Sequence, residues 1–157
     1  MVATFPKLAG QHASYTAKQL ADFKSGERQD PTMNGMAAPL SEQDMADLGA
    51  YFATQTPAIG APADEEKAAK GKTLYQAGDA QKGISACMAC HGPSGAGNPG
   101  AKFPSLKGQH TAYTVKALKD FRSGVRATDP QKMMQDIAAK MSDSDIEAVA
   151  EYIAGLH

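Results

Sequence analysis

Two cysteines and a histidine stand together near the middle of this 157-residue chain, in the order Cys87-Met88-Ala89-Cys90-His91. Two thiols three residues apart, followed at once by an imidazole, form the CXXCH pattern by which c-type haem is attached. The spacing lets both sulfurs reach the vinyl groups of one porphyrin as thioethers while the histidine is directed at the iron. Cys87 and Cys90 are therefore the predicted thioether residues, and His91 is the predicted axial ligand.

The same cysteines would also suit two other kinds of site. A CXXC pair is a redox dithiol in thioredoxin-like proteins, but no βαβ pattern surrounds it here. A CXXC pair also supplies half of many zinc sites, but no second Cys or His pair stands at zinc spacing. Covalent haem attachment is the interpretation that the sequence favours.

The chain also contains an internal duplication. Residues 5–28 align with residues 103–126 at an offset of 98, and 15 of the 24 positions are identical. The second copy then carries three extra residues, after which residues 33–53 align with residues 134–154 at an offset of 101. A match of this length indicates a duplicated structural unit.

Each copy predicts the same helices and no strand, so the predicted fold class is all-α. Apolar residues recur at helical spacing over residues 113–122. An S-x-x-D cap begins a helix over residues 143–155, and Ser41 repeats this cap in the first copy. Glu66–Ala77 is a further predicted helix, and the first copy has no counterpart of it.

These elements predict two domains of unequal completeness. Residues 1–55 form an incomplete unit without a haem-attachment motif, and residues 65–157 form a complete unit. The segment between them, residues 56–64, is rich in Pro, Gly and Ala and is predicted to be an exposed linker. Leu48, Tyr51 and Phe52 are expected to lack the helix that should cover them.

The duplication also selects a second axial ligand among the eight methionines. A ligand inherited from an ancestral haem domain should occur in both copies, and only Met33 and Met134 coincide. Met134 is therefore the predicted distal ligand, and Met33 is a possible orphan axial ligand. Two alternatives remain: Met134 only packs in the core, or His110 ligates the iron. A histidine–methionine pair closes the iron to small ligands, which suits electron transfer.

Arg126, aligned with Arg28, has two interpretations. It pairs with a haem propionate, or it is an exposed residue beside a helix; the second is the one favoured by the sequence.

Composition excludes several classes of function. Sixteen basic and seventeen acidic residues leave a net charge of −1, so no basic face for nucleic acid is expected. No run of about 18 apolar residues is present, which excludes a membrane-spanning helix. Met1–Gly10 has neither the basic nor the apolar region of a signal peptide.

Beyond these motifs, the residues resemble the cytochrome c4 family of dihaem carriers over essentially the whole chain. In the second half the resemblance rests on SACMACHGPSGAGNP, FPSLKGQHTAYTVKALKDFRSG and MMQDIAAKMSDSDIEAVAEYIAGLH. In the first half it rests on FPKLAGQHASYTAKQLADFKSGER and MNGMAAPLS. The resemblance implies tandem class I cytochrome c domains, the first truncated, with haem c held by Cys87, Cys90, His91 and Met134.

The resemblance also implies a role and a location. It implies a periplasmic electron carrier, not an enzyme, which passes single electrons in a respiratory chain from a cytochrome bc1-type donor towards a terminal oxidase, with possible peripheral membrane association. The alternative is the cytochrome subunit of a redox enzyme such as flavocytochrome c sulfide dehydrogenase, with a flavoprotein as partner.

The chain departs from this family in one respect, because the family has two CXXCH motifs and this sequence has one. We therefore expect one haem c per chain, and a second only if an upstream segment is missing. Loss of the original N-terminus by truncation or processing, or degeneration of the first domain, would each explain the departure.

Overall fold

The computed structural model describes residues 3–157, so Met1 and Val2, which begin the segment predicted to lack a signal peptide, lie outside the described residues. Within that range the chain forms α1 (Ala13–Ser25), α2 (Pro31–Ala37), α3 (Glu42–Ala53), α4 (Glu65–Ala77), α5 (Met88–His91), α6 (Thr111–Ser123), α7 (Met133–Ala138) and α8 (Asp143–Ala154). A 3-10 turn at Pro130–Lys132 precedes α7. The described residues otherwise hold only two isolated β-bridges, and the all-α prediction is confirmed.

The duplication in the sequence is also a duplication in the structure, because α1, α2 and α3 recur as α6, α7 and α8. Ser41 Oγ accepts a hydrogen bond from the Asp44 N–H at 3.1 Å, and Ser142 Oγ accepts one from the Asp145 N–H at 3.2 Å. In both caps the aspartate side chain in turn accepts from the serine N–H. The predicted caps therefore begin α3 and α8 with the same pair of bonds.

The core of the second half lies where α4 crosses α8. The helices approach so closely that a Cβ atom on Gly71 would collide with the carbonyl oxygen of Ala148. Around this crossing, a buried cluster is formed by Leu74, Tyr75, Ile84, Leu118, Met141, Ile146, Val149, Ile153 and Leu156. The helix predicted before the CXXCH motif, α4, therefore packs against α8, the C-terminal helix that follows the candidate ligands in the sequence.

Among the described residues of the first half, 3–55, no helix packs on the corresponding face of α3. Asp47 takes the place of Ala148 in the repeat, and Tyr51 is 58% exposed. A shallow surface groove runs along this face between Leu40, Leu48 and Tyr51. Leu48 and Phe52 are half-buried, so part of the expected exposure is relieved by α1, against which the other face of α3 packs.

The two halves meet through hydrogen bonds arranged as reciprocal pairs. Gln11 Oε1 accepts from the Ser105 backbone N–H at 2.9 Å, and its repeat counterpart Gln109 accepts from the Lys7 N–H at 2.8 Å. Each amide also donates from Nε2 to the carbonyl oxygen of the same residue, at 3.0 Å in both cases. An approximate twofold axis between duplicated units produces this kind of exchange.

Candidate functional site

The two cysteines and His91 share one tight helical turn. Cys87 caps α5, and its carbonyl oxygen accepts from the His91 N–H at 2.9 Å. Gly92, with φ of +77°, ends the turn immediately afterwards. Cys87 is half-buried, Cys90 is exposed, and neither thiol forms a disulfide. The short helix therefore brings two cysteine side chains and one imidazole close together.

The imidazole of His91 is buried and oriented by a main-chain acceptor. The side chain is 7% exposed, and Nδ1 lies 3.0 Å from the carbonyl oxygen of Pro104. A carbonyl oxygen can only accept, so Nδ1 carries the proton and Nε2 keeps its lone pair. Burial lowers the pKa of His91, although the Pro104 carbonyl opposes this effect. The ring is thus a neutral imidazole, the form that ligates a metal.

The loop after His91 folds back onto the histidine and is well connected. The Gly97 N–H donates to the His91 carbonyl oxygen at 2.8 Å, and Asn98 and Phe103 exchange two backbone hydrogen bonds at 2.9 Å. Gly97 has a φ of +75°, and a Cβ there would lie 2.5 Å from the Phe103 carbonyl oxygen. Glycine is required at this position, because any side chain would force the loop away from His91.

The environment of the cysteines argues against the two alternative chemistries. Burial raises the pKa of the Cys87 thiol to about 11, whereas reactive dithiols and zinc ligands need a stabilised thiolate. Among residues 3–157 no group of three or more His, Cys, Asp or Glu side chains could hold a metal ion. The site therefore lacks the features of a redox dithiol and of a zinc centre.

The structure separates the three methionines of the second copy. Met134 lies in α7, half-buried, and packs against the same apolar cluster as Cys87. The Asp129 carboxylate accepts from the Met134 N–H at 2.7 Å and so fixes the start of this helix. Met133 is 36% exposed, and Met141 is 4% exposed inside the cluster. Of the three, only Met134 is neither fully buried in the core nor classed with the exposed side chains.

The three extra residues of the second copy lie immediately before α7. Gln131 and Lys132 have φ values of +53° and +59°, so the additional length is absorbed in a left-handed kink. Met33, the repeat counterpart of Met134, is half-buried in α2, and its N–H donates to Asp30 Oδ1 at 3.0 Å. The kink lets the two methionines keep the same position in equivalent helices despite the insertion.

The interpretation of Arg126 as an exposed residue is wrong, because this side chain is 6% exposed. It folds back over the Phe121 ring at 4.4 Å, and the first half covers it. Its Nη2 donates to Tyr15 Oη at 2.7 Å and to Gln19 Oε1 at 3.0 Å. Burial by a second structural unit is the physical reason, and the local sequence does not carry that information.

The hydrogen-bond partners of Arg126 also bear on whether the site fits a haem. No described carboxylate forms an ion pair with Arg126, and its Nε has no hydrogen-bond partner among residues 3–157. A buried guanidinium normally has an anionic partner, and haem brings two propionate carboxylates. Two thiols, a neutral imidazole, a thioether and a buried guanidinium without a carboxylate partner among residues 3–157 together fit a covalently attached haem.

Sequence reasoning did not identify the polar residues between the halves. Gln11, Tyr15 and their counterparts Gln109 and Tyr113 all form hydrogen bonds across the junction, where Arg28 Nη2 also donates to Tyr113 Oη at 3.3 Å. The available signal was their identity in both copies. Polar side chains retained in each copy, outside the haem motif, indicate a shared interface.

Comparison with known proteins gives consistent matches. Residues 68–157 match the family model described as Cytochrome c. The chain is 50% identical over 157 residues to cytochrome c4 of Thiocapsa roseopersicina, covering 99% of this chain and 81% of that protein. It is 44% identical over 158 residues to the thiosulfate dehydrogenase electron acceptor of Stutzerimonas stutzeri, covering 98% of this chain and 72% of that protein. The crystal structure of reduced recombinant cytochrome c4 from Pseudomonas stutzeri matches with a TM-score of 0.95 at 45% identity, covering 99% of this chain and 87% of that chain.

Proposed function

Because this chain belongs to the cytochrome c4 family, we propose that Cys87 and Cys90 attach its haem c and that His91 and Met134 ligate the iron. Membership of the family confirms the resemblance inferred from the sequence. It also means that the chain carries covalently bound haem c and transfers electrons rather than catalysing a reaction.

The observation that carries the assignment of the ligands is the hydrogen bond between His91 Nδ1 and the Pro104 carbonyl oxygen at 3.0 Å. It fixes the tautomer, orients the ring and leaves Nε2 as the one nitrogen able to bind iron. Met134 is supported by its place in the repeat and by its partial burial beside the same apolar cluster.

The chemistry supplied by bound haem is the reversible one-electron reduction of its iron. The residues of the chain prepare the site for this reaction. Burial keeps His91 neutral, and a thioether from Met134 favours the ferrous state relative to a second imidazole. The apolar cluster around Met141 and Ile146 excludes water from one side of the site. Arg126, which is buried, would supply a positive charge for a haem propionate.

We further propose that residues 65–157 form the haem domain, that residues 56–64 link it to the first unit, and that residues 1–55 hold no covalent haem. Those first residues contain no cysteine, which thioether attachment requires. Met33 would be an axial ligand only for a second haem supplied by a preceding segment.

We place this carrier in the periplasm, within a respiratory chain. Cytochrome bc1-type donors and terminal oxidases are the proposed partners, with peripheral rather than transmembrane attachment to the membrane. Within residues 3–157, no helix has the length and apolar character needed to cross a bilayer. A second role, acceptor of electrons from a dehydrogenase, is favoured by the 44% identity to a protein named thiosulfate dehydrogenase electron acceptor.

Acid–acetone extraction of the purified protein tests the attachment. Haem should stay with the wild-type polypeptide and be only singly attached in Cys87→Ala and in Cys90→Ala, because each sulfur forms one thioether. Met88→Ala, a substitution between the two cysteines, serves as the matched control and should leave both bonds intact. Haem extracted whole from the wild-type chain would refute the assignment of Cys87 and Cys90.

A further inference from the structure

One peptide unit lies between the first half of the chain and His91. The carbonyl oxygen of Pro104 and the N–H of Ser105 belong to the same planar amide, whose two polar ends point in opposite directions. The carbonyl accepts from His91 Nδ1 at 3.0 Å, and the N–H donates to Gln11 Oε1 at 2.9 Å. A continuous hydrogen-bonded path therefore runs from Gln11 through this amide to the imidazole.

Gln11 is built to hold that amide in one position. Its side chain is 8% exposed, and its Nε2 donates to the Ser105 carbonyl oxygen at 3.0 Å. Its Oε1 also accepts from the His12 N–H at 3.0 Å, so both ends of the side-chain amide are satisfied in a single orientation. A flipped amide would set donors against donors at Ser105 and His12.

We propose that Gln11 is a positioning residue for His91, through which the first half of the chain sets the reduction potential of the haem in the second half. This inference rests on the proposed role of His91 as the proximal ligand. Hydrogen bonds in a chain polarise one another. Because Gln11 Oε1 accepts from the Ser105 N–H, the carbonyl of Pro104 in the same amide becomes a stronger acceptor. A stronger acceptor increases the electron density that the imidazole donates and stabilises ferric iron.

The duplication provides a matched control for this effect. Gln109, equally buried, accepts from the Lys7 N–H at 2.8 Å and donates to the Lys7 carbonyl oxygen at 3.0 Å. The amide it holds is that of Pro6 and Lys7, and in the described part of the chain no imidazole donates to the Pro6 carbonyl. Gln11 and Gln109 thus make the same contacts, and only Gln11 is connected to a candidate iron ligand.

The experiment compares Gln11→Met with Gln109→Met in the full-length protein with haem attached. Methionine keeps the length and packing of glutamine but removes all three side-chain hydrogen bonds in either variant. Spectroelectrochemistry gives the midpoint potential. Gln11→Met should favour the reduced form by roughly two- to tenfold, as expected for weakening one hydrogen bond, and a tenfold change is about 59 mV for a one-electron couple. Gln109→Met should change the same equilibrium less than about twofold while lowering stability to a similar extent. Equal shifts of the midpoint potential in the two variants, or no shift of the potential in either, would overturn the role of Gln11.

Wild-type protein supplies a second measurement that does not depend on how the variants fold. In NMR spectra of the reduced state, the Ser105 amide and the His91 Nδ1–H should both exchange slowly with solvent. Rapid exchange of the Ser105 amide would overturn the inference. The same spectra test the ligand itself, because ring protons of His91 shifted far upfield by the haem mark it as bound to iron. Their absence would refute the ligation, and with it the inference, whereas a ligated His91 with an unaffected potential would refute only the role of Gln11.

Discussion

Replacing Met134 by alanine separates the role of an iron ligand from that of a core residue. The half-buried Met134 side chain packs only at the margin of the apolar cluster, whereas Met141 lies inside it and is 4% exposed. If Met134 were only a packing residue, its loss should resemble a mild version of the loss of Met141. If it ligates iron, the two variants should affect different properties.

The magnitudes follow from this burial. Met141→Ala removes a buried side chain and should lower the free energy of unfolding by about 2–5 kcal/mol, while the reduction potential stays close to that of the wild type. Met134→Ala should lower the potential by ~0.1 V or more, within the ~0.8 V range that axial ligands span. It should also abolish the weak near-infrared band that a methionine–iron bond gives in ferric cytochromes. Met133→Ala, at an exposed neighbour, should change the stability by no more than about 0.5 kcal/mol.

Denaturant unfolding followed by circular dichroism measures the stability, and spectroelectrochemistry with near-infrared absorption measures ligation. The reasoning fails if Met134→Ala keeps the band and the potential. It also fails if Met133→Ala or Met141→Ala abolishes the band, because the alignment of the two copies would then have selected the wrong methionine.

Three further predictions follow from the fold. A pyridine haemochrome assay should give one haem per chain. The isolated piece 64–157 should fold with haem, whereas the piece 1–57 should be largely unfolded by circular dichroism. Two haems, or a folded N-terminal piece, would contradict the proposed domains. Gly71→Ala should destabilise the protein in thermal melts, because its Cβ would collide with the carbonyl oxygen of α8, whereas Gly35→Ala, at a helical glycine with open space around it, should be neutral or slightly stabilising. Burial raises the pKa of Asp145, but the hydrogen bonds from a lysine and from the N-cap serine outweigh burial and lower it below 3.8. The carboxylate therefore stabilises the fold above about pH 4 and loses this effect as the pH falls through its native pKa, so thermal melts of wild type and Asp145→Asn should converge in acid; a difference that grows in acid would contradict this sign.

Local sequence was sufficient to predict most of the helices. The S-x-x-D caps and the helical spacing of apolar residues act over one or two turns, and the structure places α3, α6 and α8 where these patterns predict them. Glu66–Ala77 was predicted within one residue of α4. The duplication strengthened the predictions of the repeated helices, because the same pattern had to be consistent in two places; α4 has no such counterpart within residues 3–157.

Contacts between distant segments were beyond the reach of such patterns. Arg126 follows a glycine at the end of α6, which locally resembles an exposed position, and its burial depends on Tyr15 and Gln19 more than a hundred residues away. The Pro104 carbonyl that orients His91 carries no side-chain signal at all. The roles of Met134 and of the two cysteines stay predictions, although the geometry around them fits a haem.

The partner of His91 Nδ1 is a main-chain oxygen, and this has a consequence for inheritance. Every amino acid supplies the same carbonyl group, so no single codon change at position 104 can delete the acceptor. Selection can alter the hydrogen bond only by moving the backbone, through substitutions at neighbouring or facing positions such as Gln11 or Gly97. The hydrogen bond that orients His91, the proposed proximal ligand, is therefore protected from direct loss by substitution at residue 104, and its strength depends on residues elsewhere in the sequence. Among descendants of this duplicated chain, drift in electrochemical properties should accordingly trace to changes across the junction rather than to changes at residue 104.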